Sequence, residues 1–155
     1  MHFHPVCSRL PLLFLLVLSG IGCARSQGLH QVERVVDGDT FVLTGGERVR
    51  LIGIDTPETV HPNKPVEPFG PEASGFSKNM LEGKDVRLEF DVQERDKYGR
   101  LLAYVFLEDD TFVNAELLRL GFAVVLTIPP NVKHAEQFLE LQREAREHER
   151  GLWSY

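Results

Sequence analysis

Val49-Arg50-Leu51-Ile52-Gly53-Ile54-Asp55-Thr56-Pro57-Glu58 begins as a strand and ends as a turn that carries carboxylates. Side chains alternate between the two faces of a strand, so Arg50 is expected on the face that also carries Ile52 and Ile54. A permanently charged guanidinium on an otherwise apolar face is costly unless an anion meets it. Pro57 cannot donate to a ladder, so the strand must stop there. Asp55 and Glu58 then stand at a strand end, where the chain turns and side chains can converge on a ligand. One arginine, two carboxylates and a rigid turn suit a phosphate and a hard cation. A strand with a salt bridge and an Asx-type turn satisfies the same residues.

Upstream, residues 30–36 alternate as a strand, and Asp37-Gly38 is a strong hairpin signal. Residues 39–44 return, Gly45-Gly46 turns again, and residues 48–55 follow as a third strand, giving a meander. Downstream, residues 58–71 hold Pro62, Pro65, Pro68 and Pro71 with His61, Asn63 and Lys64, the composition of an exposed loop. Pro71 opens a helix whose apolar face is Ala73, Phe76, Met80 and Leu81 and which ends by Gly83. Val86, Leu88, Phe90 and Val92 alternate with charged residues as a half-buried strand. A polar connection over residues 93–100 leads into 101–107, apolar throughout, as in a strand buried on both faces. Asn114 is placed to cap a short helix that ends at Gly121. Residues 122–126 read as a last short strand, stopped by Pro129-Pro130. Residues 134–150 form a long helix with Ala135, Phe138, Leu139, Leu141, Gln142 and Ala145 near one side. Short strands in hairpins, with helices between and after them, make an α+β domain. About five strands and about three α-helices point to a small closed β-barrel of the OB type.

The 155 residues suit one domain, and the first 22 stand outside it. One basic residue, Arg9, precedes an apolar run over residues 10–18, and Ser19-Gly20-Ile21-Gly22-Cys23 follows. That is the layout of a secretory signal peptide, and the run is too short to span a bilayer as a helix. Small residues ahead of Cys23 resemble the lipobox of bacterial lipoproteins, although Gly20 stands where a leucine is expected. Cys23 is therefore a candidate lipidation site, with ordinary signal-peptidase cleavage nearby as the competing reading. Cys7 lies within the signal, so removal of residues 1–22 leaves Cys23 as the one cysteine and no intramolecular disulfide. Residues 23–29 then link to a domain over 30–155. An exported protein, secreted, periplasmic or lipid-anchored at the cell envelope, is the expectation. No heptad pattern appears, and a monomer is expected.

Losing the first 22 residues removes Arg9 alone among charged groups, which leaves 16 Lys+Arg against 23 Asp+Glu, a net charge of −7. Such a protein is on average repelled by a polyanion. Any phosphate must be held by local positive groups, or with the help of a bound cation. No Cys/His cluster has zinc spacing.

Three motifs follow in order: Asp37-Gly38-Asp39-Thr40, Arg50 through Glu58, and Asp96-Lys97-Tyr98-Gly99-Arg100. With Phe69-Gly-Pro-Glu-Ala-Ser74, Val113-Asn114 and Gly151-Leu-Trp-Ser, they make the chain resemble the staphylococcal nuclease (thermonuclease) family over about residues 32–153. The resemblance implies a five-stranded OB-type barrel with three helices. It implies Ca²⁺ held by Asp39, Asp55 and the carbonyl of Thr56, and Glu58 as general base or orienter of the attacking water. It implies Arg50 and Arg100 on the scissile phosphate, and Lys97 and Tyr98 against a neighbouring phosphate. The implied reaction is hydrolysis of DNA and RNA phosphodiesters, with the 5′ oxygen leaving and 3′-phosphate products.

The chain also departs from that family. It is acidic where the staphylococcal protein is basic, and residues 60–68 carry fewer lysines. Residues 126–129 lack two tyrosines that contact nucleotide. Aromatic stacking is worth roughly 1–3 kcal/mol per base, so weaker, more salt-sensitive substrate binding is expected. Two alternatives keep the barrel without the chemistry: a non-catalytic OB module binding nucleic acid or protein, or a lipid-anchored envelope protein using it for interaction. Arg50, Glu58, Arg100 and both metal aspartates argue against them, because a binding module has no need of all five.

Overall fold

The computed structural model describes residues 28–59 and 67–154. The signal peptide over 1–22, Cys23, most of the linker, and His61, Pro62, Asn63, Lys64 and Pro65 of the loop lie outside the described residues.

Strands β1 (His30–Asp37), β2 (Thr40–Leu43) and β3 (Arg48–Leu51) form the expected meander. The tight turn at Gly38-Asp39 pairs Asp37 with Thr40, and β2 pairs Thr40 with Arg50. A short β4 (Gly53–Asp55) precedes helix α1 (Gly70–Leu81). Strands β5 (Asp85–Glu89) and β6 (Leu101–Leu107), helix α2 (Val113–Arg119), β7 (Val124–Leu126) and helix α3 (Ala135–Glu147) complete the order, with a 3₁₀ turn at Gly151–Trp153. The barrel closes as β1-β2-β3-β6-β5, while β4 and β7 pair as a separate ribbon. This is the α+β barrel of OB type with three α-helices that the patterning implied.

Closure depends on one parallel seam, in which Val49, Arg50 and Leu51 lie beside Leu101, Leu102 and Ala103. Inward residues of the strands, among them Phe41, Val49, Leu51, Val86, Leu88 and Val105, are buried and form the core with Leu117, Leu118 and Phe138. Burial of this apolar surface is the main driving force for the fold.

The single strand expected over residues 48–55 is divided in two. Gly53 has φ 79°, a conformation open to glycine and strained for other residues, so the chain kinks and changes partner from β6 to β7. The kink buries Ile52 and Ile54 and leaves Arg50 on the outer wall, where the sheet alternation had put all three on one face. A Cβ on Gly53 would also meet the Phe138 ring at 2.6 Å. Glycine is thus required there twice, by conformation and by packing.

Asn114 does not cap α2. Phe112 holds the N-cap position, and no side chain caps the helix. The fully buried Asn114 amide instead spans the core: the Val105 N–H donates to its Oδ1 (3.0 Å), and its Nδ2 donates to the Ile52 carbonyl (2.9 Å). The backbone groups at the kink, displaced from a regular ladder, need partners, and Asn114 supplies one. Leu139, assigned above to the apolar side of α3, is 55% exposed, and Val92 is 74% exposed past the end of β5. The inward side of α3 is set by Phe138 and Ala145.

Candidate active site

The Gly38-Asp39 turn brings Asp39 against the chain just beyond β4. Gly38 is required for this approach, because a Cβ there would lie 2.6 Å from Thr56 Oγ1. Buried Asp39 is wrapped in donors. Thr40 Oγ1 donates to Oδ1 (3.0 Å), while the Thr56 N–H (3.0 Å) and Thr56 Oγ1 (3.2 Å) donate to Oδ2. Arg50 reaches across from β3 and bridges two carboxylates, with Nη1 against Asp39 Oδ2 and Nη2 donating to Asp55 Oδ1 at 2.7 Å. Nη1 is buried against the Asp39 carboxylate. Burial pushes the Asp39 carboxyl above its ordinary value. Arg50, Thr56 and Thr40 pull it down without cancelling that effect, and the Asp55 charge adds to the rise.

Arg100 enters from the far side of the seam. Its Nε donates to Asp96 Oδ2 (2.7 Å), and its N–H and that of Tyr98 donate to Asp96 Oδ1 (3.0 and 2.9 Å), so one carboxylate shapes the whole turn. Burial alone would raise Asp96. The bonds from Arg100 and Tyr98 outweigh it and hold the carboxyl below its usual range. Arg95 braces the same turn by donating to the Gly99 carbonyl (2.7 Å) while forking onto Glu47 (3.1 and 2.7 Å).

Arg50, Arg100, Asp39, Asp55, Thr56 and Glu58 line one cavity of about 380 Å³. Lys97 and Tyr98 do not join them. They line a second cavity of about 530 Å³ with Leu102, Leu126 and Ile128, and the two cavities share Arg50 and Arg100 as a common wall.

Three charged residues of the first cavity were not singled out as site residues in the sequence. Asp37 does more than turn the hairpin: it accepts from Gly38 N–H (2.9 Å) and Thr59 Oγ1 (2.6 Å), tethering the segment that carries Glu58. Glu67 Oε2 accepts the Glu58 N–H (3.1 Å), and the Glu67 N–H donates back to the Glu58 carbonyl (3.0 Å). Nothing in the proline-rich stretch signals that pairing. Arg48 lines the cavity from β3. Its spacing of two from Arg50 was the available signal.

A family model described as "Staphylococcal nuclease homologue" matches residues 48–155. The chain belongs to the staphylococcal nuclease family. It is 48% identical over 127 residues to a thermonuclease of Staphylococcus intermedius, covering 80% of this chain and 75% of that protein. It is 43% identical over 139 residues to a thermonuclease of Staphylococcus hyicus, covering 88% and 81%. It is 42% identical over 128 residues to the SPbeta prophage-derived endonuclease YokF of Bacillus subtilis, covering 79% of this chain and 43% of that one.

In this staphylococcal nuclease homologue the cavity charges suit a hard cation. Five carboxylates (Asp37, Asp39, Asp55, Glu58, Glu67) face three guanidiniums (Arg48, Arg50, Arg100), an excess of negative charge that would repel a phosphodiester. Asp39 and Asp55 already converge on one positive group, Arg50. Among the described residues no three His, Cys, Asp or Glu side chains form a cation cage. A coordination sphere here would rest on the two aspartates, the Thr56 carbonyl and water, an all-oxygen set of the kind Ca²⁺ accepts.

Proposed function

We propose that this protein is an exported, Ca²⁺-dependent nuclease that hydrolyses phosphodiester bonds of DNA and RNA to 3′-phosphate products. The nuclease class follows from the family. The observation that carries the mechanism is the shared wall, where Arg50 and Arg100 meet one cavity rich in carboxylates and another lined by apolar side chains. A polynucleotide strand laid across that wall has its reacting phosphate between two guanidiniums and a base beside Leu102, Leu126 and Ile128.

Arg50 and Arg100 grip the scissile phosphate, and their planar forks favour the more highly charged pentacoordinate transition state. Asp96 and Arg95 hold the Arg100 turn in advance, so little ordering remains at the moment of reaction. Glu58 accepts a proton from the attacking water as its oxygen bonds to phosphorus. The bond from phosphorus to the 5′ oxygen breaks, and that oxygen takes up a proton. Asp37 and Glu67 fix the Glu58 backbone and thereby the position of the base. Asp39, Asp55 and the Thr56 carbonyl would hold Ca²⁺, which when bound would supply Lewis-acid polarisation of the phosphoryl group. Lys97 and Tyr98 contact the neighbouring phosphate on the apolar side. The Lys97 ammonium and the Arg100 guanidinium lie 5.0 and 5.5 Å from the Tyr98 ring centroid, so the three act as one patch. Leu126 and Ile128 offer the base apolar contact without aromatic stacking, which weakens binding and leaves chemistry unchanged.

Export rests on residues 1–22 as a signal peptide, with Cys23 as the candidate lipidated first residue, 23–29 as a linker and 30–155 as the nuclease domain. Among the described residues no helix is long and apolar enough to cross a membrane. A membrane contact would run through a lipid on Cys23 alone, and mass spectrometry of the mature N-terminus tests this. Light scattering after size exclusion tests for a monomer.

The deciding assay follows acid-soluble nucleotide release from single-stranded DNA and RNA with Ca²⁺, with Mg²⁺ and with a chelator, at low and moderate salt. Cleavage is expected with Ca²⁺, fading with salt and leaving 3′-phosphate ends. A folded protein that cleaves nothing under any condition refutes the reading.

A further inference from the structure

The described residues include ten arginines, and most are engaged. Arg50, Arg87, Arg95, Arg100, Arg119, Arg143 and Arg150 are ion-paired, and Arg146 lies over the Trp153 ring. Arg34 and Arg48 alone have no partner among the described residues. Both stand on the same part of the barrel. Arg34 pairs in register with Val42, and Val42 with Arg48. Directly opposed residues on neighbouring strands project to the same face, so both arginines share the outward face that Arg50 occupies. Both are exposed. The acidic neighbour of Arg48 in sequence, Glu47, is already held by Arg95 and does not quench it.

Arg48 lines the carboxylate-rich cavity with Arg50 and Arg100 and takes no part in the apolar one. Lys97 and Tyr98 show the reverse pattern. Arg48 therefore flanks the shared wall on the side opposite Lys97 and Tyr98. Residues two apart on a strand are about 7 Å apart, a separation that successive phosphates of one extended nucleic-acid strand can span.

We propose that Arg48, with Arg34 beyond it, binds a second phosphate of the polynucleotide, on the side of the scissile phosphate away from Lys97 and Tyr98. The inference rests on the nuclease reading above and extends it: the preferred substrate is a single strand that continues past the cleaved bond in both directions.

The test uses the mature protein, Arg48→Gln, Arg48→Lys and the Arg34→Gln/Arg48→Gln double variant. Substrates are octathymidylate and a thymidine dinucleotide with a single phosphodiester, each in Ca²⁺ from 25 to 200 mM salt (about an eightfold span, chosen to resolve a slope). Circular dichroism verifies the fold. Arg48→Gln is expected to lower the ratio of kcat/KM for octamer over dinucleotide about fivefold, mainly through KM. It should also flatten the log–log salt slope on the octamer by about 0.7, the value for one lost phosphate contact on a single strand. Arg48→Lys keeps most of the slope, and the double variant loses more than the single one. An unchanged ratio and slope overturn the proposal. So do equal losses on both substrates, which would put Arg48 on the scissile phosphate. If the wild type cleaves neither substrate, the nuclease reading fails by itself. Fluorescence anisotropy with labelled octathymidylate then still decides the role of Arg48, since an unchanged salt slope in Arg48→Gln overturns it.

Discussion

Replacing Asn114 by Ala tests whether the site is held in place from the core. The side chain is fully buried, its Oδ1 takes the Val105 N–H at 3.0 Å, and its Nδ2 gives to the Ile52 carbonyl at 2.9 Å. Alanine removes both partners and leaves two buried backbone groups unpaired. Each orphaned group costs about 1–3 kcal/mol, so the expected loss is about 3–4 kcal/mol, with the vacated volume contributing to the upper part of that range. A helix cap would cost only about 1 kcal/mol. The measurement is urea unfolding at 25 °C by tryptophan fluorescence and circular dichroism, with the slope checked for two-state behaviour. The Ile52 carbonyl directly precedes the kink that aims Asp55, so kcat should fall as well, at a temperature where the variant remains folded. A loss below 1 kcal/mol with unchanged kcat refutes the account and restores Asn114 to a local role in its helix.

Glu58→Gln and Arg50→Ala should each lower turnover by about two to four orders of magnitude while the circular dichroism spectrum stays native; near-wild-type rates in either remove its assigned role. Gly53→Ala should destabilise by about 2–4 kcal/mol, from positive φ and from contact with the Phe138 ring, and Phe138→Leu in the same chain should recover part of the loss. Asp96→Asn removes a carboxylate whose pKa folding lowers. Such a group contributes stability above its unfolded pKa of about 3.9 and loses it as pH falls through the lower folded value. The gap in urea midpoint between wild type and variant should therefore be full at pH 7 and close below about pH 4; a gap that persists at low pH contradicts the ion-pair account. Adding EDTA to the purified protein should abolish cleavage while leaving the fold intact, and activity that survives chelation would remove Ca²⁺ from the mechanism.

Much of this molecule follows from local patterns. The Asp37-Gly38 turn, the alternation in β1 to β3 and the proline that starts α1 each express a preference of a few neighbouring residues. The three motifs likewise predict which side chains gather, and Asp39, Arg50, Asp55, Glu58 and Arg100 do gather. What local pattern could not reveal was long-range compensation. Asn114 reads as a helix cap, and only the three-dimensional fold shows it inside the helix with its amide occupied by Ile52 and Val105. Gly53 reads as one weak residue in a strand until Phe138, 85 positions later, is seen against it. Glu67 lies in a stretch with no periodicity, so its exchange of hydrogen bonds with Glu58 leaves no trace in the sequence. Lys97 and Tyr98, read against a neighbouring phosphate, line the adjoining cavity, which Arg50 and Arg100 also line.

The parallel seam between β3 and β6 has a kinetic consequence. Arg50 and Arg100 come from its two sides, about fifty residues apart in the chain, and such distant pairings are slow to form because loop closure must precede any gain from contact. No hairpin or isolated helix of this protein carries both guanidiniums. A partly folded chain therefore holds no complete phosphate grip. In a refolding experiment the return of cleavage should coincide with burial of the seam, well after helical signal appears, so that activity serves as a clock for the final closure of the barrel.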